Sequence, residues 1–564
     1  MKYEEYPLIV PELKEITKKF NAIYDKLEKS TNPQAFAKEM RKMMKFSDHL
    51  QTLMTTIETR YSIDTTNETY ANAQNALDEI GPMISALFDK YNKLIVATPF
   101  RKELEKTFGE LLFAQTEQSL KCFDEKIVED LQKENKLTSE YTRVLASAQI
   151  KFEGGVYNLS QMGKFFTSTD RETRKKAAKA MYKFYDAHEK ELADIYDQLV
   201  HVRDEMAKKL GYKNYIPLGY ARLGRLDYNA NDVAKYREQV EKEVVPLYKK
   251  LRRRQAKRIK ISNPKFYDTS LVFLSGNPKP VGDSHKLVNI AQNMYDSISE
   301  ETGEFFRYMV DNHLLELDAK PGKSGGGYMT YFPDYQSPFI FSNFNGTSGD
   351  VDVLTHEGGH AFQGYCTRKE KIPEYRSPTL EACEIHSMSM EFFAWPFMKD
   401  FFGNDADKYR FAHLSDAMMF IPYGVCVDEF QHYVYENPNV THEERCKKWL
   451  ELENKYTPDK NYKGFPYLER GNFWMKQSHI FQTPFYYIDY TLAQVAAFQF
   501  LVEMQKDYTK AWKKYVKLCK LGGKYPYLTL LEKAHIRNPF IDGNIRKVIR
   551  PLKKLLDSFD DLSM

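Results

Sequence analysis

The sequence predicts a mainly α-helical protein of two lobes, with one small β-sheet beside a helix suited to hold a metal ion. Helical periodicity dominates the text from Leu13 to Leu27, Phe36 to Met54, Tyr70 to Tyr91, Arg171 to Leu210, Ala234 to Lys260 and Thr491 to Lys517. Asn32-Pro33, Asn263-Pro264, Gly276-Asn277-Pro278 and Asn437-Pro438 punctuate these stretches. Strand-like text is confined to about residues 326–344, where Tyr328–Phe332 and Phe339–Phe341 can pair as a hairpin-like sheet. A chain of 564 residues is too long for one simple core, so two lobes are expected.

The metal-binding helix is read from His356-Glu357-Gly358-Gly359-His360. Positions i and i+4 share a helix face, about 6 Å apart along the axis, so His356 and His360 can hold one ion between them. Glu357 projects beside that face, where it can take a proton from a water at the metal. Each glycine inside a helix costs roughly 1 kcal/mol relative to alanine. Such a cost is expected where the backbone must come close to a substrate or a neighbouring strand. Upstream, Gly346-Thr347-Ser348-Gly349 reads as a loop, with Thr347 or Ser348 as the helix cap.

A catalytic zinc commonly keeps three protein ligands and one open position. A third histidine six residues after the second is ruled out, because Cys366 stands there and Gln363 replaces the glycine that accompanies it. A glutamate from a later helix is the other route. Ser377-Pro378 reads as the start of one, and that helix carries Glu381 and Glu384 at i and i+3, on nearly the same face. Spacing does not separate them.

The run Glu384-Ile385-His386-Ser387-Met388-Ser389-Met390-Glu391 resembles the E-x-x-S-x-x-x-E helix of the oligoendopeptidase F branch of the thimet-oligopeptidase-like zinc peptidases. Pro338–Thr347 is similar to the family strand and loop that lead into the zinc helix. Val427–Glu436 and Leu210–Tyr215 also match, whereas the first 150 or so residues match least. The resemblance implies that Glu384 is the third ligand to one Zn2+ and that Glu391 orients a ligand histidine. It also implies two helical lobes around a deep substrate channel of the neurolysin and thimet-oligopeptidase kind. The division is expected near residue 165, with an N-terminal helical lobe at 1–165 and the catalytic region at 166–564, and segments can be exchanged between them. The glycine-rich segment Gly322–Tyr328 lacks the phosphate-loop pattern and reads as a mobile loop over the cleft. The resemblance puts Gly326, Gly327, Phe341 and Asn343 in contact with substrate, and a substrate strand can add to the edge of the small sheet.

Amide hydrolysis builds negative charge on the carbonyl oxygen, which a fixed donor can stabilise. Ser478–Tyr490 is dense in donors, and Tyr487 and Tyr490 are neighbours at i and i+3. The family pattern of a histidine followed by a tyrosine pair implies that Tyr490 donates to the oxyanion while His479 and Tyr487 contact substrate. The spacing here is one residue shorter than the thimet-type pattern.

Composition excludes several other classes. A hydrophobic fraction of 42% with 28% charged residues is that of an ordinary globular protein. A net charge of +4 gives no general drive toward nucleic acid. The basic run around Arg252-Arg253-Arg254 reads as a solvated helix face. No stretch approaches the roughly 18 apolar residues of a membrane helix. The acidic N-terminus lacks a signal-peptide core. Cys122, Cys366, Cys383, Cys426, Cys446 and Cys519 are scattered, as expected for reduced thiols in a cytoplasmic protein. The expected activity is zinc-dependent endopeptidase action on short unfolded peptides. An exopeptidase of carboxypeptidase type and a non-catalytic peptide-binding helical protein are the alternatives. Neither the oligomeric state nor the cleavage preference can be read from the text.

Overall fold

The computed structural model describes residues 1–159, 161–320 and 322–564. The chain folds into two compact units, each assembled from separated segments. The first comprises Met1–Lys121, Lys279–Gly403 and Glu503–Ile536; the second comprises Cys122–Pro278, Asn404–Val502 and Arg537–Met564. Residue 165 marks the edge of neither. Helices dominate both units, with five strands among the described residues: β1 (Ile150–Phe152), β2 (Gly155–Tyr157), β3 (Leu315–Asp318), β4 (Tyr328–Phe332) and β5 (Ser337–Phe344). No helix among the described residues is long and apolar enough to cross a membrane.

Named ion pairs and hydrogen bonds account for the way the N-terminal helices are divided. In the first unit, Arg376 forks onto Asp48 at 2.5 and 2.8 Å. Tyr375 donates its hydroxyl to the Phe108 carbonyl at 2.7 Å and accepts the Leu112 amide at 3.0 Å. These bonds join the helical start of the chain to the segment that carries the histidines. In the second unit, buried Arg203 donates to Glu134 at 2.6 Å, to the Tyr435 hydroxyl at 2.9 Å and to the Phe481 carbonyl at 2.6 Å. Glu134 also accepts from Arg222 at 2.9 Å. A buried guanidinium needs all of these acceptors, so the helix carrying Glu134 belongs with the second unit.

Several long helical stretches of the sequence are broken in the structure. Arg171–Leu210 divides into Arg171–Ala187 and Glu189–Lys209; Ala234–Lys260 becomes Ala230–Glu243 and Val245–Arg258, the second with Pro246 in its first turn. Thr491–Lys517 becomes Tyr487–Met504 and Tyr508–Leu521, the latter capped by Asp507. Apolar periodicity persists across such joints because both pieces bury the same side, so the period alone does not reveal them. Asn32-Pro33 proves to be a start signal. The Asn32 side chain accepts the Ala35 amide at 2.9 Å, and Pro33 opens a helix that runs to Ile63.

The sheet of the first unit has the order β3-β5-β4. β4 and β5 are antiparallel, with Thr330 opposite Phe339, as the hairpin-like text suggested. β3 pairs parallel with β5, Glu316 opposite Phe341. The sequence reading missed β3 and the β1–β2 hairpin, which are only three or four residues long. Tyr3 and Tyr6 pack against this sheet, the Tyr3 ring 4.4 Å from Phe339 and the Tyr6 ring stacked 3.8 Å from Tyr335. β5 leads directly into the histidine-bearing helix, Gly349–Thr367.

Candidate active site

The helix Gly349–Thr367 begins without a side-chain cap from Ser348, which occupies the N-cap position. Asp350 instead turns back, accepting the amides of Asn345 at 2.9 Å and Gly346 at 2.7 Å, and so fixes the entry loop. The helix that brings the third acidic group, Leu380–Phe393, starts later than Ser377-Pro378 suggested, with Thr379 at the N-cap position and no side-chain cap bond. Pro378 lies before it and offers its carbonyl to the Cys383 thiol at 3.3 Å.

The two glycines let these elements close up. A Cβ on Gly359 would lie 2.6 Å from the His386 carbonyl oxygen and 2.7 Å from Ser387 Cα, while a Cβ on Gly358 would lie 2.2 Å from the Tyr295 hydroxyl. The close approach is therefore to a neighbouring helix and a tyrosine, not to a strand or a substrate. Gly359→Ala meets unyielding backbone and is expected to cost about 1–3 kcal/mol. Gly358→Ala meets only the buried Tyr295 hydroxyl, which has no hydrogen-bond partner among the described residues, so Tyr295→Phe should rescue it. Thermal melts of the single and double variants check this; rescue of Gly359→Ala by Tyr295→Phe would contradict the packing.

With the helices at this spacing, His356, His360 and Glu384 converge, their ligand atoms all within 4.8 Å of one another. His356 Nε2 and His360 Nε2 lie 3.3 and 3.4 Å from Glu384 Oε2. Ser387 donates to Glu384 Oε2 at 3.0 Å and so orients it. Glu391 Oε1 lies 2.6 Å from His356 Nδ1; an Nδ1–H donated there leaves Nε2 facing Glu384. Glu381, the alternative on the same helix, is buried outside this group. Two imidazoles and a carboxylate around one point are the donor set of a catalytic zinc centre, so the residues fit such an ion.

Electrostatics follow from this crowding. Burial opposes the charge on Glu384, but the imidazoles of His360 and His356 outweigh it and hold the carboxyl well below the usual carboxylate range. Burial likewise disfavours the His356 imidazolium, yet its bonds to Glu384 and Glu391 hold it well above 6.5. Glu357 sits beside the group at 8% exposure, and burial pushes its carboxyl up against the pull of both imidazoles. It has the makings of a proton acceptor, poised above an ordinary glutamate. Burial brings His386, on the helix of Glu384, down to about 4. It faces the Tyr515 side and stands outside the ligand group. The Cys383 thiol is pushed up by burial and by Glu384 and Glu381, which suppresses thiolate reactivity.

The glycine-rich loop is tied down at several points. Asn343 donates its amide to the carbonyls of Ser324 and Gly326, both at 2.8 Å. The Ser324 amide donates to the Ser62 carbonyl at 2.8 Å, and Thr65 donates to the Gly322 carbonyl at 2.7 Å. Lys323 lies over the Phe341 ring, 4.6 Å from its centroid, and pairs with Glu316 at 3.2 Å. These bonds brace the segment as a turn. Gly326 takes φ +89°, which explains a glycine there. Phe341 is fully buried on the central strand and stacked on Tyr328, so its side chain supports β4. Asn343 likewise acts on the loop.

In the second unit, His479 sits on the short helix Ser478–Gln482 and is ringed by tyrosines. Ring centroids lie 5.0 Å away for Tyr487, 5.7 Å for Tyr490 and 5.8 Å for Tyr486. Tyr487 and Tyr490 lie 5.7 Å apart. Three residues absent from the sequence reading hold this cluster. Gln477 bonds His479 Nδ1 at 2.9 Å, and the Tyr423 hydroxyl donates to Gln477 Oε1 at 2.9 Å. Phe485 adopts a left-handed φ of +68°, and Arg225 secures that turn by donating to the Phe485 carbonyl and to Asp489, both at 2.6 Å. Adjacency to His479 could have flagged Gln477; Tyr423 and Arg225 are remote in sequence and carry no local signal.

Fold and donor set together define a class: a mainly helical protein with a two-histidine, one-glutamate centre of the type that metallohydrolases use. The chain belongs to peptidase family M3, whose model matches residues 165–275 and 289–548. The Peptidase M3 N-terminal domain model matches residues 3–123. The structure is similar to that of Pz peptidase A with an inhibitor, at 50% identity and a TM-score of 0.95 over 100% of both chains. Among curated relatives, oligopeptidase PepF of Bacillus subtilis (strain 168) is 22% identical over 412 residues, 71% of this chain and 59% of that protein. Chromosomal oligoendopeptidase F of Lactococcus lactis subsp. cremoris is 26% identical over 256 residues, 45% of this chain and 40% of its own length. The match thus spans less than two thirds of either curated relative.

Proposed function

We propose that this protein is a zinc-dependent endopeptidase that hydrolyses short unfolded peptides. One observation carries the reading: His356, His360 and Glu384 converge on one point with buried Glu357 beside them. Membership of peptidase family M3 supports it. His356, His360 and Glu384 would hold the ion, with Ser387 and Glu391 orienting two of them. When bound, zinc supplies Lewis acidity, polarising a carbonyl and making a water acidic near neutral pH.

Glu357 takes the proton from the attacking water and later delivers it to the leaving amine. Tyr490 donates to the developing oxyanion, and His479 and Tyr487 contact the substrate. β4 is an edge strand of its sheet, so its outer side and the turn at Gly326 and Gly327 can receive an extended peptide. The reading includes a cytoplasmic location, supported by six free thiols.

Internally quenched peptides blocked at both ends test the activity. We expect cleavage that stops on chelation and returns with added zinc. Equal cleavage after the ion is stripped would end the metal reading. Cleavage only of peptides with a free terminus would make the protein an exopeptidase.

A further inference from the structure

The second unit holds a cavity of about 420 Å3 whose wall includes Tyr487 and Gln477, the residues that contact His479 from either side. Lys460 and Lys476 also line it. Their ammonium groups share one aromatic ring: Lys460 Nζ lies 3.7 Å and Lys476 Nζ 4.0 Å from the centroid of Phe473. Glu453 forms a direct ion pair with only one of them, although its charge also favours the Lys476 ammonium. It pairs with Lys460 at 2.9 Å and accepts the Tyr462 hydroxyl at 2.6 Å. Lys476 has its contact with Phe473 and no ion pair among the described residues.

Arg252 and Asp416 also line the wall. Arg252 faces Asp459 at 3.5 Å. Asp416 is pushed up by burial, with Arg252, His413 and Arg258 opposing that shift. Burial and the neighbouring Lys460 bring Lys476 down to about 7. Burial favours the neutral amine of Lys476, and an incoming anion would favour its ammonium form.

We propose that this cavity is a carboxylate subsite in which Lys476 takes the C-terminal carboxylate, or an acidic side chain, of the peptide substrate. This rests on the peptidase reading. A carboxylate captured there would lie beside Tyr487, a residue the peptidase reading places on the substrate. The sequence offered no such anchor, because Lys476 and Lys460 stand sixteen residues apart in different elements.

The test compares wild type, Lys476→Met and Lys476→Arg on matched quenched peptides. One pair ends in a free carboxylate or a carboxamide; a second, amidated pair carries an interior Glu or Gln. Methionine keeps the stem on Phe473 and removes the charge; circular dichroism checks the fold. Wild type is expected to favour the carboxylate member of one pair by about 10- to 100-fold in kcat/KM. Lys476→Met should bring that ratio near one, and Lys476→Arg should keep it. The pair that responds identifies the terminal or side-chain source. Equal rates for both pairs in wild type overturn the subsite and leave the peptidase reading standing. If wild type cleaves none of these peptides, the peptidase reading falls, and calorimetry of the same peptides decides the subsite. Tighter binding of the carboxylate member by wild type than by Lys476→Met keeps it; equal binding overturns it.

Discussion

Replacing Glu357 with glutamine is expected to leave stoichiometric zinc in the protein and to lower turnover by about 10²- to 10⁴-fold. Glutamine preserves the size and hydrogen-bonding reach of the side chain and has nearly the same helix propensity, so His356 and His360 keep their places. It cannot accept a proton from water. Burial raises the Glu357 carboxyl above the ordinary glutamate value while both imidazoles restrain it, the balance expected of a group that must take a proton and give it back. Metal analysis and steady-state kinetics on one preparation check the prediction. Near-normal activity would remove Glu357 as the base, whereas lost zinc would assign it a structural role.

Glu384→Ala is expected to lose stoichiometric zinc and nearly all activity. Its carboxylate lies 3.3 and 3.4 Å from the two imidazole nitrogens and is itself held by Ser387. Without it, two protein ligands remain where a catalytic site needs three. The vacated space is enclosed, Glu384 being 7% exposed, so no side chain from solvent can replace it. Glu391→Gln should be milder, weakening zinc affinity about 10- to 100-fold, because it acts through the orientation of His356. Glu381→Gln should retain stoichiometric zinc. Metal content across the three variants checks this order, and zinc loss greatest in Glu381→Gln would reverse the ligand assignment.

Much of the site was legible because it is local. His356, Glu357 and His360 follow from one helical turn, and β4 with β5 from two short apolar runs around a turn. What the text left ambiguous needed contacts at long range. Glu381 and Glu384 differ by less than a helical turn, and only the seating of their helix on Gly359 selects between them. Phe341 and Asn343 have packing roles that the text does not show: one stacks on Tyr328 and the other bonds the carbonyls of the glycine loop. The cap of the histidine helix failed for a similar reason. Asp350 bonds backward to the entry loop, a contact that the order of residues does not show.

The amino-acid order by itself determined the helical class, the paired histidines and the glutamate beside them, because each is encoded within a few residues by periodicity or by an i, i+4 spacing. Tertiary structure decided which glutamate joins them, what the two glycines are for, how the N-terminal helices divide between the units and where Lys476 lies. Those outcomes depend on an approach to Gly359 too close for any Cβ and on charges balanced across 88 residues of chain between Glu134 and Arg222 and 328 between Asp48 and Arg376. A linear pattern states which side chains are present; only packing sets which of them share one volume and which must therefore be paired, bent or left to a ligand.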